Sequence, residues 1–179
     1  MDIVGHKNMV LEAEDIFLGK ARFKDWEAMY RNVWSRPETA RFMMWEVTAT
    51  WEEAKDRIKR TILFQETHDT YLIYEKKHGQ AIGFAGVGLI GPGIYEEMGI
   101  ALGPEYVGRG YGKQVLCLLL KYCTDVLKGK EFYYYTRAEN KASKALALSC
   151  GFVYQYSEKK EQGTGKEYMM EVYCKKLCS

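Results

Sequence analysis

The 179-residue chain has few prolines, few histidines and no long apolar run. Its longest apolar stretch, Val115 to Leu120, is far shorter than the roughly 20 residues that a transmembrane helix needs, so we expect no membrane association. Met1 to His6 lack a basic segment followed by an apolar core, so we expect no secretory signal and a cytoplasmic protein. Because no repeat, low-complexity tract or proline-rich linker is present, we expect a single domain over residues 1–179.

Charge and metal-binding residues argue against two further classes of protein. The net charge is only +2, so the chain lacks the strong positive field that is typical of nucleic-acid-binding proteins. The three histidines, His6, His68 and His78, are widely scattered, and the cysteines include no C-x-x-C pair. We therefore expect no metal site. The odd number of cysteines fits a reducing compartment such as the cytosol.

Hydrophobic periodicity and turn residues predict a mixed order of strands and helices. We expect, in chain order, a strand over Val10–Leu18, a helix over Trp26–Trp34 capped by Asp25, a helix from Thr50 to Gln65, a hairpin of Thr70–Glu75 with Ala81–Ile90, a strand over Ile94–Leu102, a helix over Tyr111–Leu127, a strand over Phe132–Thr136, a helix from Asn140 to Gly151, and a final pair over Phe152–Tyr156 and Tyr168–Lys175. This order predicts a mixed α/β sandwich and not an alternating doubly wound sheet.

The most informative segment is Gly108-Arg109-Gly110-Tyr111-Gly112-Lys113, between a predicted strand and a predicted helix. Glycines at alternate positions let the backbone approach a ligand closely, because no Cβ is in the way. The helix behind them directs unpaired N–H groups and its positive dipole end at that ligand, and Arg109 and Lys113 add charge. The segment therefore predicts a site for a phosphate or pyrophosphate.

Three kinds of phosphate-binding loop are alternatives for this segment. A Walker loop needs Ser or Thr after Gly112-Lys113, where the chain has Gln114. A dinucleotide-binding fingerprint needs a glycine at the position of Lys113. The third pattern, [Q/R]-x-x-G-x-[G/A], has Gly110 and Gly112 at its last two glycine positions and fits best. That pattern is the coenzyme A pyrophosphate loop of the GNAT superfamily of N-acetyltransferases.

Other segments resemble the same superfamily, in the same order and spacing. They are Leu102-Gly103-Pro104-Glu105-Tyr106, which resembles the family's strand exit, and Asn140-Lys141-Ala142-Ser143 with Ser149-Cys150-Gly151-Phe152, which resemble its N-x-x-S…G-F signature. Weaker likeness to the ribosomal-protein N-terminal acetyltransferase (RimJ/RimL-like) branch is found at Asp25, Glu38–Phe42, Trp51–Ala54 and Ile82–Phe84. The resemblance covers roughly residues 10 to 175.

This resemblance implies a GNAT-like α/β (α+β) fold, with a mixed, mostly antiparallel central sheet of about seven strands flanked by about four helices. It implies acetyl-CoA as the cosubstrate, no metal, and direct transfer of the acetyl group to a primary amine in a ternary complex. The implied acceptor is a protein or peptide N-terminus or a small-molecule amine. For the oligomeric state, a homodimer is one alternative. The implied coenzyme-binding residues are Gly99, Ile100, Ala101, Leu102, Val107, Gly108, Arg109, Gly110, Tyr111, Gly112, Lys113, Asn140 and Ser143.

Two positions depart from the family's pattern. Val107 occupies the Q/R position of the loop, but backbone N–H groups do most of the binding in such loops, so we expect coenzyme binding to survive. The family often has a general-acid tyrosine seven residues after Asn140, where this chain has Ala147. A non-catalytic acyl-CoA-binding regulatory module is therefore the alternative to an enzyme, and a Walker-type nucleotide enzyme is a third.

Alternation along the strand Ile94–Leu102 indicates a catalytic base. We expect Met98, Ile100 and Leu102 on the core face, and Glu97 on the opposite face beside Gly99 and Ala101, whose small size leaves room. Glu97 is then placed to deprotonate the amine, directly or through water. Glu96 is the alternative base if a bulge shifts the register.

The resemblance adds two expectations about the site. The pantetheine arm of the coenzyme would lie between the strands Ile94–Leu102 and Phe132–Thr136, where a backbone N–H near Gly99 or Ile100 polarises the thioester carbonyl. In the resembling fold the first helices cover the acceptor cleft, so Met43, Met44 and Trp45 are candidates to line it.

Overall fold

The computed structural model describes residues 10–163 and 165–178. The predictions on Met1 to His6 lie outside the described residues, as does Thr164, between the last two predicted strands. The chain divides into two compact units, one of Met1–Gly88 with Met98–Leu118 and one of Leu89–Glu97 with Leu119–Ser179. Three elements pass from one unit into the other: the strands β4 (Gln80–Gly91) and β5 (Ile94–Leu102) and the helix α4 (Tyr111–Asp125).

The first unit contains most of the helices. Its elements are β1 (Leu11–Glu12), β2 (Ile16–Gly19), α1 (Trp26–Met29), α2 (Pro37–Ala40), α3 (Trp51–Gln65), β3 (Asp69–Glu75), most of β4 (Gln80–Gly91), the end of β5 (Ile94–Leu102) and the start of α4 (Tyr111–Asp125). Strands β1 to β5 are neighbours in chain order, and β1 to β4 pair antiparallel. The predicted hairpin of the third and fourth strands is confirmed.

Two predictions in the first unit are wrong. The strand expected over Val10–Leu18 is two strands, because the backbone N–H of Ala13 donates to the carbonyl of Ile16 (2.9 Å) and closes a turn between them. The helix expected over Trp26–Trp34 keeps an α conformation only over α1 and continues as a π-helical turn, Tyr30–Trp34.

Asp25 does not cap that helix through its side chain. The carboxylate is 5% exposed and accepts from the backbone N–H of Arg22 (2.8 Å) and from the hydroxyl of Tyr74 (2.7 Å). These partners compete with the helix N–H groups for the same oxygens, and a buried carboxylate needs every donor it can reach. Asp25 is therefore a core contact to β3.

Helix α3 begins as predicted. The Thr50 side chain accepts from the backbone N–H of Glu53 (3.2 Å), and the Glu53 carboxylate accepts from the backbone N–H of Thr50. The predicted capping box is therefore confirmed. Ala54 and Ile58, four residues apart, share one buried face of the helix. They pack into a core formed by Met29, Val33, Trp34, Leu72, Tyr74 and Ala81.

The second unit contains the remaining strands and one complete helix. Its elements are the start of β5, β6 (Glu131–Arg137), α5 (Lys141–Ser149), β7 (Val153–Gln162), β8 (Lys166–Lys176) and the end of α4. The strands are neighbours in the order β5-β6-β8-β7, with β6, β8 and β7 antiparallel. Strand β5 pairs parallel with β6 only from Ile94 to Glu96, although β6 continues to Arg137.

The predicted class is confirmed, as a mixed α/β fold with a mostly antiparallel sheet. The described residues contain eight strands and five α-helices, slightly more than expected. The extra strand comes from the split at Ala13, and the extra helix starts at Pro37, which is favourable at a first helical position. Within residues 10–163 and 165–178, no helix is long and apolar enough to cross a membrane.

Candidate functional site

Two glycines of the predicted phosphate-binding loop have a left-handed backbone conformation. The loop joins the 3₁₀ turn Pro104–Tyr106 to α4, and Gly108 and Gly110 have φ values of 78° and 81°. A Cβ at either glycine would meet nothing within 4 Å, so the backbone conformation, and not a neighbouring atom, requires glycine there. The loop therefore faces open space at the N-terminus of a 15-residue helix, which favours an anionic ligand.

A buried carboxylate, Glu75, anchors the side chains of this loop. Glu75 lies at the end of β3 and is 2% exposed. Its Oε1 accepts from the Tyr111 hydroxyl (3.1 Å) and lies 3.8 Å from Nη1 of Arg109, while its Oε2 contacts Nδ1 of His78 at 2.6 Å. Burial acts to raise the pKa of Glu75, but hydrogen bonds from His78 and Tyr111 and the charges of His78 and Arg109 outweigh it and lower that pKa. Glu75 therefore stays ionised and anchors the side chains of Tyr111 and Arg109.

This anchoring engages one of the two cationic side chains of the loop and leaves the other exposed. The guanidinium of Arg109 is directed at Glu75 and packs 5.4 Å from the ring centroid of Tyr106. Lys113, in the first turn of α4, is exposed. Among the two cations predicted for the loop, Lys113 is therefore the one better placed for a ligand in solution.

Sequence reasoning missed Glu75, because it lies 36 residues before Tyr111 and reads as an ordinary strand-end charge. It also missed a link between the first turn of α4 and the β1–β2 turn. There the Gln114 side chain donates to Oδ2 of Asp15 (2.7 Å) and accepts from the backbone N–H of Asp15 (3.0 Å). The residue that excluded a Walker loop therefore has a structural role.

Val107 and Leu102, both predicted coenzyme contacts, line one small cavity of about 270 Å³. Pro104, Glu38 and Thr39 complete its wall, and the buried Oγ1 of Thr39 has no hydrogen-bond partner among the described residues. A donor without a partner beside the loop is consistent with a polar ligand at this position.

The expected faces of β5 are wrong beyond Glu97. Gly99 has a φ of 89°, which interrupts the alternation of side chains along the strand. Met98, before this break and expected in the core, is 39% exposed, and Ala101, after it and expected on the open face, is 5% exposed. A Cβ at Gly99 would lie 3.2 Å from Cε2 of Phe84, so that position also has little room for a side chain.

The two candidate bases of the second unit have different tyrosine partners. Burial raises the pKa of Tyr134, and the charge of Glu97 adds to that rise. Burial also raises the pKa of Tyr135, as do the charge of Glu96 and its hydrogen bond. Glu97 and Tyr134 therefore interact electrostatically, while Glu96 is engaged by Tyr135.

Asn140 and Ser143 lie together at the start of α5. The Asn140 Oδ1 accepts from the backbone N–H of Ser143 (3.1 Å), so the predicted N-cap is confirmed. The hydroxyls of Ser143 and Tyr134 are 2.8 Å apart, which connects this helix start to β6. Ala147 is fully buried, so the position where the family often has a tyrosine faces the core of this unit.

A larger cavity of about 730 Å³ lies within the first unit. Helix α3, residues 45–48, strands β3 and β4, and Met98 form its walls. Of Met43, Met44 and Trp45, which were expected to line an acceptor cleft, only Trp45 lines this cavity. Its volume is that of a site for a small molecule or the end of a peptide. Over the described ranges, no group of His, Cys, Asp and Glu residues is arranged to hold a metal ion.

Comparison with known proteins gives consistent matches. Residues 15–153 match the profile of the family described as Acetyltransferase (GNAT) domain. The N-alpha-acetyltransferase RimI of Mycobacterium tuberculosis is 35% identical over 88 residues, which are 48% of this chain and 52% of that protein. The chain therefore spans about half the length of that curated relative.

Two solved structures have the same fold. A GNAT-family acetyltransferase from Bacillus anthracis superimposes with a TM-score of 0.82 at 20% identity, covering 94% of this chain and 99% of the other. The microcin C7 self-immunity acetyltransferase MccE, in complex with acetyl-CoA and AMP, superimposes with a TM-score of 0.80 at 21% identity, covering 92% and 94%.

Proposed function

The chain belongs to the GNAT acetyltransferase family, whose profile matches more than half of its length, and on this premise we propose that it is an acetyl-CoA-dependent, Rim-like N-acetyltransferase. The observation that carries this proposal is the loop before α4, where Gly108 and Gly110 are left-handed and face open space. Because the profile match runs through residues of both units, we also infer a single domain.

The residues present fit a coenzyme A pyrophosphate. Backbone N–H groups from Val107 to Gly112 would hold it, and the exposed Lys113 would add charge. When bound, acetyl-CoA supplies an acetyl group activated as a thioester. Asn140, Ser143 and the β5 segment Gly99–Leu102 are the further coenzyme contacts in this proposal.

Glu97 is the proposed catalytic base. The amine nitrogen forms a bond to the acetyl carbonyl carbon, and the proton from nitrogen passes to the Glu97 carboxylate directly or through water. The C–S bond breaks with its electron pair on sulfur, and the departing thiolate takes a proton from water to give the free thiol of coenzyme A. Glu96 is the second choice, because its carboxylate is already hydrogen-bonded to Tyr135.

The acceptor in this proposal is a primary amine, and the likeness to an N-alpha-acetyltransferase favours a protein or peptide N-terminus over a small-molecule amine. We place the reaction in the cytoplasm, since none of the five cysteines forms a disulfide in the described residues. A homodimer is one alternative for the oligomeric state, and light scattering decides between it and a monomer.

A free-thiol assay with acetyl-CoA and a panel of amines tests this function. We expect Glu97→Gln to lower kcat by roughly 10²–10⁴-fold, with coenzyme affinity in calorimetry unchanged. Glu96→Gln is the matched control, one residue away, and should retain most of the activity. An unchanged pH–rate profile in Glu97→Gln removes that residue from the base role, and coenzyme binding without turnover of any amine supports the non-catalytic module instead.

A further inference from the structure

The larger cavity contains a guanidinium that no carboxylate of the described chain neutralises. Arg57, on α3, has its Cζ 4.8 Å from the ring centroid of Trp34 and 4.5 Å from that of Trp45. Its Nη1 donates to Oγ1 of the buried Thr48 at 3.0 Å. Within residues 10–163 and 165–178 it forms no ion pair, and the nearby charge that acts on it is the like charge of Arg60.

The position of Arg57 is electrostatically unfavourable in the protein alone. Burial, together with the charge of Arg60, lowers the pKa of Arg57 to about 10. The aromatic faces of the two tryptophans offset part of the lost hydration by a cation–π interaction. A cation in this environment is stabilised further by any anion that enters the cavity.

The two acidic residues of the cavity wall do not supply that anion. The carboxylate of Glu53 is used at the start of α3, where its Oε2 accepts from the backbone N–H of Thr50 in the capping box (3.4 Å) and from that of Ala49 (2.8 Å). Glu46 is exposed and forms no ion pair with Arg57 in the described residues.

Two further donors line the same cavity. The Nε1 of Trp45 and the Oγ1 of Thr70 are buried and have no hydrogen-bond partner in the described residues. An indole N–H only donates, a guanidinium only donates, and a hydroxyl can donate. Together with Arg57 and Arg60 they form a set of donors that matches a ligand group rich in acceptor oxygens.

From this arrangement we propose that the cavity binds an anionic group of the acceptor amine, a carboxylate or a phosphate, with Arg57 as its main partner and Trp45 and Thr70 as additional donors. This inference rests on the proposed N-acetyltransferase activity. It restricts the substrates to amines that carry an anionic group. The rings of Trp45 and Phe84, 6.4 Å apart, add an apolar surface beside that group, which favours an aromatic body.

The alternative is a purely structural Arg57 that fixes residues 45–48 through its stacking and its hydrogen bond to Thr48. That role does not involve the hydroxyl of Thr70. Thr70→Val keeps the side-chain shape and removes a buried hydroxyl without a partner, so a structural role predicts unchanged or higher stability and unchanged ligand binding. The anion site predicts unchanged or higher stability with weaker binding of anionic acceptors.

The experiment compares amines with one aromatic body and different charge. Phenylalanine is paired with phenylalaninamide, and O-phosphotyramine with tyramine, so that the carboxylate and phosphate arms are separate. Binding is measured by calorimetry and turnover by thiol release. We expect one anionic member to exceed its neutral partner in kcat/KM and in affinity by roughly ten- to a hundredfold, as a charged hydrogen-bonded pair predicts.

Variants identify the residue responsible. Arg57→Gln should abolish the preference, Arg57→Lys should restore only part of it because the planar fork is lost, and Thr70→Val should reduce it severalfold. Lys59→Gln is the matched control: it removes a positive charge from the same helix at an exposed position paired with Asp56. If Arg57→Gln does not fold, Thr70→Val and Arg60→Gln carry the test.

The inference and the proposed function fail in different ways. Equal kcat/KM and affinity for charged and neutral partners, or a preference that Arg57→Gln and Thr70→Val leave intact, overturns the anion site while turnover upholds the acetyltransferase. Coenzyme binding without thiol release from any amine contradicts the acetyltransferase. In that case calorimetry still tests the anion site, and if neither phenylalanine nor O-phosphotyramine binds, the anion site is overturned.

Discussion

Replacing Gly110 with valine tests coenzyme binding separately from folding stability. In Gly110→Val the new Cβ meets no atom of the chain within 4 Å, so we take its cost to folding as that of a left-handed backbone at φ 81°. That cost is about 1–2 kcal/mol for a residue with a Cβ. For a chain of this length it corresponds to a fall in Tm of about 2–8 °C.

Gly165→Val is the matched control. Gly165 has a φ of 77°, so its backbone strain is similar, and a Cβ there would meet only Oε1 of Glu161, at an ordinary van der Waals distance of 3.9 Å. We expect both variants to lose similar thermal stability by calorimetric melting. Coenzyme A affinity should fall by at least about tenfold only in Gly110→Val, because its side chain occupies the space before the loop. Equal coenzyme affinity in the two variants would refute the assignment of the loop.

The remaining predictions concern Glu75. Glu75→Gln should destabilise the chain at neutral pH by about 1 kcal/mol, and not by several, because its partners His78 and Arg109 are half exposed and screened. The folded-state pKa of Glu75 is lowered from 4.5, so its stabilisation is fully present above that value and is lost as the pH falls through the folded-state pKa. Denaturant titrations of both proteins should therefore differ at neutral pH and converge below pH 4.5, and a constant difference would contradict the ion pair.

Features that depend on neighbouring residues could be predicted from the sequence. The capping box at Thr50 and Glu53 and the N-cap at Asn140 need only side chains three residues apart, and both are present. The glycine-rich loop is visible in the motif itself, whereas the left-handed conformation of Gly108 and Gly110 is a finding of the structure. Local hydrogen bonds and steric limits decide these features, so no tertiary information is needed.

Features that depend on distant partners could not be predicted. Asp25 has a cap-like position, but Tyr74 on β3 recruits its carboxylate. Glu75 reads as a solvated charge until the fold brings Tyr111 to it. Arg57 reads as one of several basic residues on α3, and only the approach of two tryptophans shows that it is half-buried.

The face reversal on β5 has a different cause. Glycine is compatible with a regular strand as well as with a positive φ, so Gly99 gave no indication that the alternation breaks there. One such residue moves every later side chain to the other face. The prediction for Met98, directly before Gly99, relied on the same alternation and failed as well, whereas the prediction for the loop after Leu102 did not depend on it.

The most direct test of the central claim is to compare coenzyme A with pantetheine, which lacks the pyrophosphate and nucleotide, by calorimetry on the unmodified chain. If the loop from Val107 to Lys113 holds the pyrophosphate, coenzyme A should bind at least about a hundredfold more tightly, and added salt should weaken coenzyme A far more than pantetheine. Equal affinities at every salt concentration would contradict the account.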